Sequence, residues 1–491
     1  MSRLKTIYSS LMSLGEKYRF GSTVYLRLMG LVYLLAFLSY ALQWELLYSD
    51  EGLLPVSLFF ERLPANYRQN FLEFPALYSF VPHETGQVWL QLLGLAASVA
   101  LFAGILPKLC SIICYFCYLN FVLTGHTFMS FQWDILLLEA GFLLILLTPW
   151  KNFLWPRENF KPNSILLILH WGLLFKLIFS SGIVKVLAGG AWTDLSALQF
   201  HFMTQPLPNP LAWWIHQSPQ WFLKLSCFIT LLVELIPPFF LWVFFWPRVQ
   251  FLSSFIIISL MILIQFSGNY TFFNLLTIAL CLLCLPDRYL PWSFRDRFSK
   301  PKPESQLLSH AGFLISVPLI LLLLLQFQKI PKLKQYLPQS SVLEKVDRAT
   351  RLFYVNNSYG LFARMTTIRR EINFEYSQDG IHWTEIEFPY KPGPVNRDLP
   401  LIAPYQPRLD WQMWFAALSP SYRSQPWIAS LIEGILLNKE QVRNYFPNID
   451  SNTQIRYVRA IVYDYDFTGF GESSIWEKKA RSVYLRPIRL R

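Results

Sequence analysis

Ser164 to Leu187 reads SILLILHWGLLFKLIFSSGIVKVL, an almost wholly apolar run that is long enough to cross a bilayer, which takes about 20 residues. The run nevertheless contains Lys176 and Lys185. It is followed by an aromatic segment, 188–220, that is broken by prolines and contains no Lys or Arg. Ionisable residues inside membrane spans are costly and usually face protein or a water-filled cavity. The stretch therefore predicts a membrane helix whose two lysines meet oppositely charged partners on neighbouring spans.

The composition of the whole chain is that of a membrane protein. Of its 491 residues, 53% are hydrophobic and only 15% are charged, whereas soluble domains carry about 25% charged residues. The net charge of +12 is not arranged as a basic stripe with interleaved aromatic residues, so the pattern excludes nucleic acid as a partner. All six cysteines lie in apolar runs, which predicts packing roles for them and no disulfide framework.

Nine apolar runs predict an α-helical polytopic membrane bundle of about nine spans. The runs lie at 22–43, 87–106, 109–124, 133–149, 164–187, 221–246, 249–267, 270–286 and 308–327. The connecting segments alternate between those that carry Lys and Arg and those that carry few or none, and the basic ones face the cytoplasm. Because nine is odd, the N-terminus and the C-terminus are predicted on opposite sides. The predicted parts are a cytoplasmic N-terminus (1–21), a multi-pass transmembrane domain (22–327) with an exterior loop (188–220), and an exterior C-terminal β-rich domain (328–491).

The C-terminal domain has the alternating pattern of short strands. Two strands flank Asp379-Gly380, a dipeptide typical of a hairpin turn. Predicted strands are Ile372–Tyr376, His382–Phe388, Tyr457–Tyr465 and the edge strand Ser482–Arg486, and predicted helices are Asp410–Leu418 and Trp427–Tyr445. This arrangement predicts a C-terminal β-sandwich-like extramembrane domain with a helical insert. Loops on such a rigid sheet suit a binding surface.

The charged residues inside the spans predict intramembrane charge pairs. From the direction of each span we expect Lys176 to pair with Glu234, and Lys185 to pair with Glu139 or Asp134. One interpretation is that these pairs hold the fourth, fifth and sixth spans in register. The other is a polar chamber open to the exterior, in which a desolvated Lys176 acts as a base or binds an anionic group.

The exterior loop contains an aromatic surface. Its segment 204–210 has three prolines, which exclude a regular helix or a central strand. Leu211–His216 then predicts a short aromatic helix in the membrane interface, where Trp side chains prefer to lie. This helix is interpreted either as a lid on the bundle or as an apolar surface for an unfolded or lipid-binding client. His126 and His201 are also exterior, but no ligand spacing joins them, so we predict neither a metal site nor a cofactor.

At these residues the chain resembles the lipase maturation factor family. In the membrane part the matching stretches are Trp192-Thr-Asp-Leu, His201, Gln205-Pro-Leu-Pro-Asn-Pro210, Ser218-Pro, Ser267-Gly-Asn-Tyr and Phe273-Asn274-Leu275. In the C-terminal part they are Arg369-Arg370-Glu371-Ile372, Asp379-Gly380, Phe388-Pro-Tyr-Lys-Pro-Gly393 and Ala403-Pro-Tyr-Gln-Pro-Arg-Leu-Asp-Trp-Gln-Met-Trp-Phe-Ala-Ala417. The resemblance implies a polytopic, non-enzymatic membrane factor that assists the folding and assembly of dimeric secreted lipases in the endoplasmic reticulum. It also implies that the C-terminal region meets the client.

The first hypothesis for function is therefore a membrane-bound maturation factor whose partners are a secreted, lipase-like client and membrane lipid. We predict that the client contacts are Trp213, Trp214, Arg408, Trp411 and Trp414. The alternative for the last three is that the run from Arg408 to Trp414 is the core of the C-terminal domain. The membrane is predicted to be the endoplasmic reticulum membrane in a eukaryote or the inner membrane in a bacterium.

The second hypothesis is a membrane-embedded enzyme or a lipid-handling protein that uses Lys176 and Glu234. It rests on an architectural resemblance to the membrane part of vitamin K-dependent carboxylases, in which an embedded lysine serves as a base. A transporter is a third interpretation, and the absence of an internal repeat of spans in the sequence speaks against it.

Overall fold

The computed structural model describes residues 14–80, 84–152, 160–289, 325–327, 329–331, 341–419, 421–450 and 452–490, and the structural statements below concern these residues. The membrane part is helical throughout. Its helices are α1 (Arg19–Ala41), α2 (Trp44–Tyr48), α3 (Val56–Arg62), α4 (Ala65–Gln69), α5 (Glu84–Ala103), α6 (Pro107–Thr124), α7 (Gln132–Leu147), α8 (Ser164–Ala188), α9 (Ala197–Thr204), α10 (Pro210–His216), α11 (Gln220–Leu235), α12 (Pro237–Phe240), α13 (Pro247–Ser267) and α14 (Phe273–Leu282).

Helix α8 shows how the local sequence sets these bounds. The Asn163 side chain caps its first turn by accepting hydrogen bonds from the Ile165 and Leu166 amides, which have no partner within the helix. The helix ends at Gly189, whose φ of 68° is readily adopted only by glycine. Its 25 residues span about 37 Å at 1.5 Å per residue, so α8 is long enough to cross the bilayer.

Six of the nine predicted spans are confirmed as helices long and apolar enough to cross a membrane. They are α1, α5, α6, α8, α11 with α12, and α13. The fourth predicted span forms α7, which has 16 residues, and the eighth forms α14, which has 10. The ninth, 308–327, lies almost entirely outside the described residues. The count of nine spans is therefore not confirmed, whereas the multi-pass helical architecture is.

Close helix contacts build the bundle around α1, which packs against α5 and α14. Gly30 of α1 permits this approach, because a Cβ atom there would lie 2.4 Å from the backbone nitrogen of Phe102. Aromatic side chains fill the space between α1 and α6, with the rings of Tyr40 and Phe121 stacked at 4.1 Å. The contacts bury Tyr33 and Phe37 completely, which fixes α1 at the centre of the bundle.

The C-terminal domain is one antiparallel sheet with helices packed on it. Its helices are α15 (Ser341–Thr350), α16 (Arg408–Leu418), α17 (Pro426–Leu436) and α18 (Glu440–Arg443), and its strands are β1 (Arg369–Ser377), β2 (Thr384–Glu385), β3 (Tyr457–Phe467) and β4 (Trp476–Ile488). The strand order is β2-β1-β3-β4, and Ile372 on β1 pairs with Val462 on β3. The predicted hairpin is confirmed, with Gly380 at a φ of 79° in its turn.

The prediction of a β-sandwich is wrong, because the described part of the domain has one four-stranded sheet instead of two. Helix α16 packs against β1 and takes the place of a second sheet. Both faces of β1 are covered, since seven of its nine residues are buried and the other two are half-buried. Because successive side chains point to opposite faces, α16 accounts for one of these faces only.

The C-terminal domain is seated directly on the bundle. Asn269, between α13 and α14, accepts hydrogen bonds from the Ile402 and Ala403 amides at 2.9 and 3.2 Å. Gln43, at the end of α1, accepts one from the Arg408 amide at 2.7 Å and donates one to the Gln406 carbonyl at 2.7 Å. One continuous apolar core includes residues of both parts. The stretch 403–417, the longest motif of the family resemblance, is therefore largely a docking segment.

Candidate functional site

A buried ion pair lies where α16 meets the bundle. The guanidinium of Arg408 contacts both carboxylate oxygens of Asp134 at 2.9 Å, and both side chains are fully buried. Tyr118 donates a hydrogen bond to the same carboxylate at 2.5 Å, and the Phe128 carbonyl accepts one from Arg408 at 2.5 Å. Two parallel N–H···O bonds make this a geometrically specific contact. Arg408 is thus part of the attachment between the two domains.

A second buried ion pair joins Lys176 on α8 to Glu139 on α7. The other oxygen of Glu139 accepts hydrogen bonds from the Asn357 amide at 2.9 Å and from the Tyr359 hydroxyl at 2.8 Å, while Lys176 also donates to the Asn356 side chain at 3.1 Å. The segment 356–359 of the C-terminal domain therefore covers this ion pair and hydrogen-bonds to both of its members. The Lys176 and Glu139 side chains are both 0% exposed, so the ammonium group faces protein partners instead of an open chamber.

A third pair joins Lys185 on α8 to Glu234 on α11. The predicted partners were therefore wrong: Lys176 pairs with Glu139 and not with Glu234, and Lys185 pairs with Glu234 and not with Glu139 or Asp134. Asp134 pairs with Arg408 instead. The four residues predicted to pair do form two ion pairs between helices of the bundle, but in the exchanged combination.

The exchange follows from the relative depth of α8 and α11. Gly182, one turn before Lys185, lies so close to Glu234 that an added Cβ atom would be 2.9 Å from the Glu234 Cβ. Glu234 is therefore level with the last turns of α8 and not with Lys176. The predicted depths were residue counts from the span ends, which are valid only for upright helices that begin at the same depth. Membrane helices are generally tilted, so equal counts do not place residues at equal depth.

The loop 188–220 is held by Arg369 at the start of β1, a residue that the sequence placed in a family motif but to which it assigned no role. Its guanidinium donates hydrogen bonds to the carbonyls of Met203 and Pro206, each at 2.8 Å, and to that of Gln205. It also pairs with Glu371 at 2.6 Å and lies over the ring of Trp476 at 5.3 Å. Burial lowers the pKa of Arg369, and the charge of Glu371 opposes that shift. Prolines 206 and 208 keep the segment between α9 and α10 out of regular structure, and Met203 lies in the last turn of α9, where carbonyls lack a partner within the helix. These carbonyls are therefore available as acceptors.

The five residues predicted to contact the client lie in three different parts of the structure. Arg408 is 0% and Trp411 is 3% exposed, so these two residues are core and the prediction of a client contact is wrong for them in this conformation. Trp213 is half-buried, and Trp214 is 59% exposed on α10. Trp414 is half-buried, and its indole donates to the Thr204 carbonyl at 2.8 Å. The structure therefore divides the five residues between the interior and two separate surfaces.

The outer face of α16 presents apolar side chains around Trp414. Phe415 is 40% and Leu418 is 43% exposed, and the spacing of three and four residues places Leu418 on the same side of the helix as Trp414 and Phe415. Arg408 and Trp411 precede these residues in the first turns of the helix and are buried. Docking of the first turns of α16 therefore leaves its C-terminal end as an exposed apolar surface of the C-terminal domain.

The remaining candidates for a chemical role in the described part of the chain include the cysteines and His201. All six cysteines are free and buried. No group of three or more His, Cys, Asp or Glu side chains is arranged to hold a metal ion among the described residues. His201 shares a hydrogen bond with the Tyr270 hydroxyl at 3.0 Å, and burial lowers the pKa of this histidine to about 4. These groups contribute to packing and to the docking of the loop.

Comparison with known proteins gives matches over most of the chain. The family model of the lipase maturation factor transmembrane domain matches residues 20–292, and that of the lipase maturation factor C-terminal domain matches residues 355–486. Lipase maturation factor 2 of Rattus norvegicus is 33% identical over 92% of this chain and 80% of its own length. Lipase maturation factor 1 of Homo sapiens is 29% identical over 95% of this chain and 87% of its own length.

No solved structure shows a significant match to the chain. The family resemblance noted from the motifs is confirmed by both domain models and by relatives covered over most of their length. Six described helices of spanning length agree with the transmembrane character of the first domain. The chain is a multi-pass membrane protein that belongs to the lipase maturation factor family.

Proposed function

We propose that this protein is a non-enzymatic, membrane-bound maturation factor that assists the folding and assembly of secreted lipases. The names of its relatives, lipase maturation factors 1 and 2, support a lipase as the client. The buried ion pairs support the absence of catalysis, because Lys176 and Glu139 satisfy each other and are closed off from solvent. A membrane-embedded enzyme that uses Lys176 and Glu234 is accordingly not favoured.

The observation that carries the proposal is the exposed apolar face of α16. Trp414, Phe415 and Leu418 form this client face, which lies at the C-terminal end of a rigid helix whose first turn is locked to the bundle by Arg408. Partly folded proteins expose apolar surface, and burial of such surface is the main driving force of association. A client segment that covers this face is thereby held without any covalent chemistry.

We place the C-terminal domain on the non-cytoplasmic side, where a secreted client is found. The support is the pattern of basic residues: the exterior loop 188–220 contains no Lys or Arg, and Arg369 of the C-terminal domain binds that loop directly. The membrane we propose is that of the endoplasmic reticulum in a eukaryote and the inner membrane in a bacterium.

The test of the client face is a charge substitution with a matched control. Phe415→Asp with Leu418→Asp is compared with Leu437→Asp, since Leu437 is similarly exposed, at 48%, elsewhere in the same domain. Each variant is co-expressed with a secreted dimeric lipase in cells that lack their own maturation factor. We expect the first variant to lower the specific activity of the secreted lipase about tenfold, which corresponds to roughly 1.4 kcal/mol of lost binding.

The Leu437→Asp variant should retain wild-type lipase activity. Equal membrane abundance of all variants, measured by immunoblot, shows that the substitutions leave folding intact. Full lipase activity with the variant that carries both Phe415→Asp and Leu418→Asp would show that the client face does not bind the client. Full activity of the secreted lipase in cells that lack the protein altogether would show that this lipase is not its client.

A further inference from the structure

An aromatic cluster joins the exterior loop to the tip of the sheet. Trp213 and Trp214 of α10 meet Phe470, which lies between β3 and β4, and the three ring centroids are 5.2 to 5.3 Å apart. Trp214 and Phe470 are each 59% exposed. The Gln217 side chain donates a hydrogen bond to the Thr468 carbonyl at 2.9 Å, which fastens the two segments together. Two different parts of the chain thus build one exposed aromatic surface.

The segment that carries Phe470 has the form of a loop tip. Its ends are joined by a hydrogen bond from the Thr468 amide to the Ile475 carbonyl at 3.1 Å. Phe470 is flanked by Gly469 and Gly471, and a Cβ atom on either glycine would meet no atom within 4 Å. The φ of 91° at Gly471 is one that L residues with side chains rarely adopt. The loop therefore projects a single large apolar side chain away from the domain.

The cluster is continuous with the surface that the bundle exposes to lipid. Asn209, which caps α10, donates a hydrogen bond to the Phe266 carbonyl in the last turn of α13 at 2.8 Å. Phe266 is 64% exposed, Leu263 on the same helix is 66% exposed, and Trp221 in the first turn of α11 is 67% exposed. Side chains this apolar on a helix of spanning length face the bilayer. The start of α10 thus lies at the end of a lipid-facing helix, which is the level of the membrane interface.

The residue types of the Trp213–Trp214–Phe470 cluster suit contact with lipid. Trp side chains are enriched at the level of the lipid headgroups because an indole presents both an apolar ring and a polar N–H group. Phe470 adds a purely apolar side chain that is suited to the boundary of the acyl chains. Glu472 and Ser473, which follow on the loop, are exposed and polar, so insertion is limited to the tip.

We propose that the Trp213–Trp214–Phe470 cluster inserts into the membrane interface and anchors the C-terminal domain to the bilayer. Trp213 and Trp214 then contact lipid instead of the client, and the β3–β4 loop is a membrane attachment in addition to the docking contacts with the bundle. The anchor holds one end of the sheet at the membrane. The hairpin turn at 378–383 lies at the opposite end, about 30 Å away for a nine-residue strand at 3.4 Å per residue.

The test is the depth of a fluorescent probe in the full-length protein. Phe470→Cys and Ile381→Cys are labelled with an environment-sensitive thiol dye in vesicles of phosphatidylcholine without client. Ile381 is the matched control, since it is 74% exposed in the hairpin turn of the same sheet, and the native cysteines are all buried. We expect lipids spin-labelled near the headgroup to quench the dye at position 470 severalfold more than the dye at position 381.

A second label, at Glu472→Cys on the same loop, leaves the aromatic cluster intact and repeats the measurement if Phe470→Cys lowers the unfolding temperature. The proposal would be overturned if the loop label, at position 470 or 472, were quenched as weakly as the control label at position 381. Quenching by lipid that disappears when a lipase is added would overturn it as well, because the surface would then serve the client. Because no lipase is needed for the lipid measurement, its failure is distinct from failure of the proposed function.

Discussion

Arg408 is the residue on which the contact between the two domains depends most. It is fully buried and holds both oxygens of Asp134. Removal of one member of a buried pair leaves an uncompensated charge and costs about 3–5 kcal/mol. We therefore expect Arg408→Ala to lower the unfolding temperature of the detergent-solubilised protein strongly and to reduce its abundance in the membrane.

Arg423 provides the matched control for this prediction. Its side chain is exposed in the same domain, so Arg423→Ala should leave the unfolding temperature close to the wild-type value. A second control is Arg408→Met combined with Asp134→Leu, which removes both charges and should recover much of the loss. Equal unfolding temperatures for Arg408→Ala and Arg423→Ala would contradict the structural role.

His201 makes the stability of the docked loop depend on pH. Burial lowers its pKa in the folded protein to about 4, below the usual value of about 6.5. The unfolded chain therefore binds more protons, and stability is lost as the pH falls below 6.5 towards 4. Between pH 7.5 and 5.5 we expect a loss of about 1.4 kcal/mol from this residue. Thermal unfolding of His201→Asn should show a shallower pH dependence than wild type, and an unchanged dependence would refute the assignment.

The residues of the site were only partly predictable from the sequence. Lys176 and Glu139 were identifiable because charges stand out in apolar runs. Their partners were not, since residue counts along helices do not give tilt or offset. Arg369 was missed for a different reason: its acceptors are backbone carbonyls, and carbonyl groups leave no residue pattern in a sequence.

Helix α8 forms one ion pair with each of two neighbouring helices of the bundle. Lys176 reaches α7 and Lys185 reaches α11. We expect Lys176→Met to reduce membrane abundance and the unfolding temperature, because Glu139 is left buried without its cation. Lys224→Met is the control, since Lys224 is exposed on α11. Normal abundance combined with lost lipase maturation would instead favour a functional role for Lys176.

The elements themselves were more predictable than the way they pack. Apolar length located six helices of spanning size, and Asp379-Gly380 located the hairpin that joins β1 to β2. The number of sheets was not predictable, because a strand covered by a helix and a strand covered by a second sheet have the same alternation. One face of the buried strand β1 is covered by α16, which lies far from it in the sequence.

The contacts between the two family domains predict that the molecule folds as one unit. The C-terminal domain takes the partners of Arg408, Arg369 and Asn357 from the bundle, and these contacts are buried or half-buried. We therefore expect the isolated segment 341–491 to lack a cooperative thermal transition by circular dichroism, whereas the full-length protein shows one. A cooperative transition of the isolated segment would show that the domain is autonomous.

The ion pair of Asp134 has a consequence for biogenesis. Its cation lies 274 residues later in the chain, so a ribosome has inserted the neighbouring helices long before Arg408 is made. During that interval the nascent bundle carries an orphan carboxylate, the kind of feature that membrane surveillance systems detect. A premature stop before codon 408 would thus mark the entire polypeptide for degradation, even though no described helix of the lost portion is long enough to cross the bilayer.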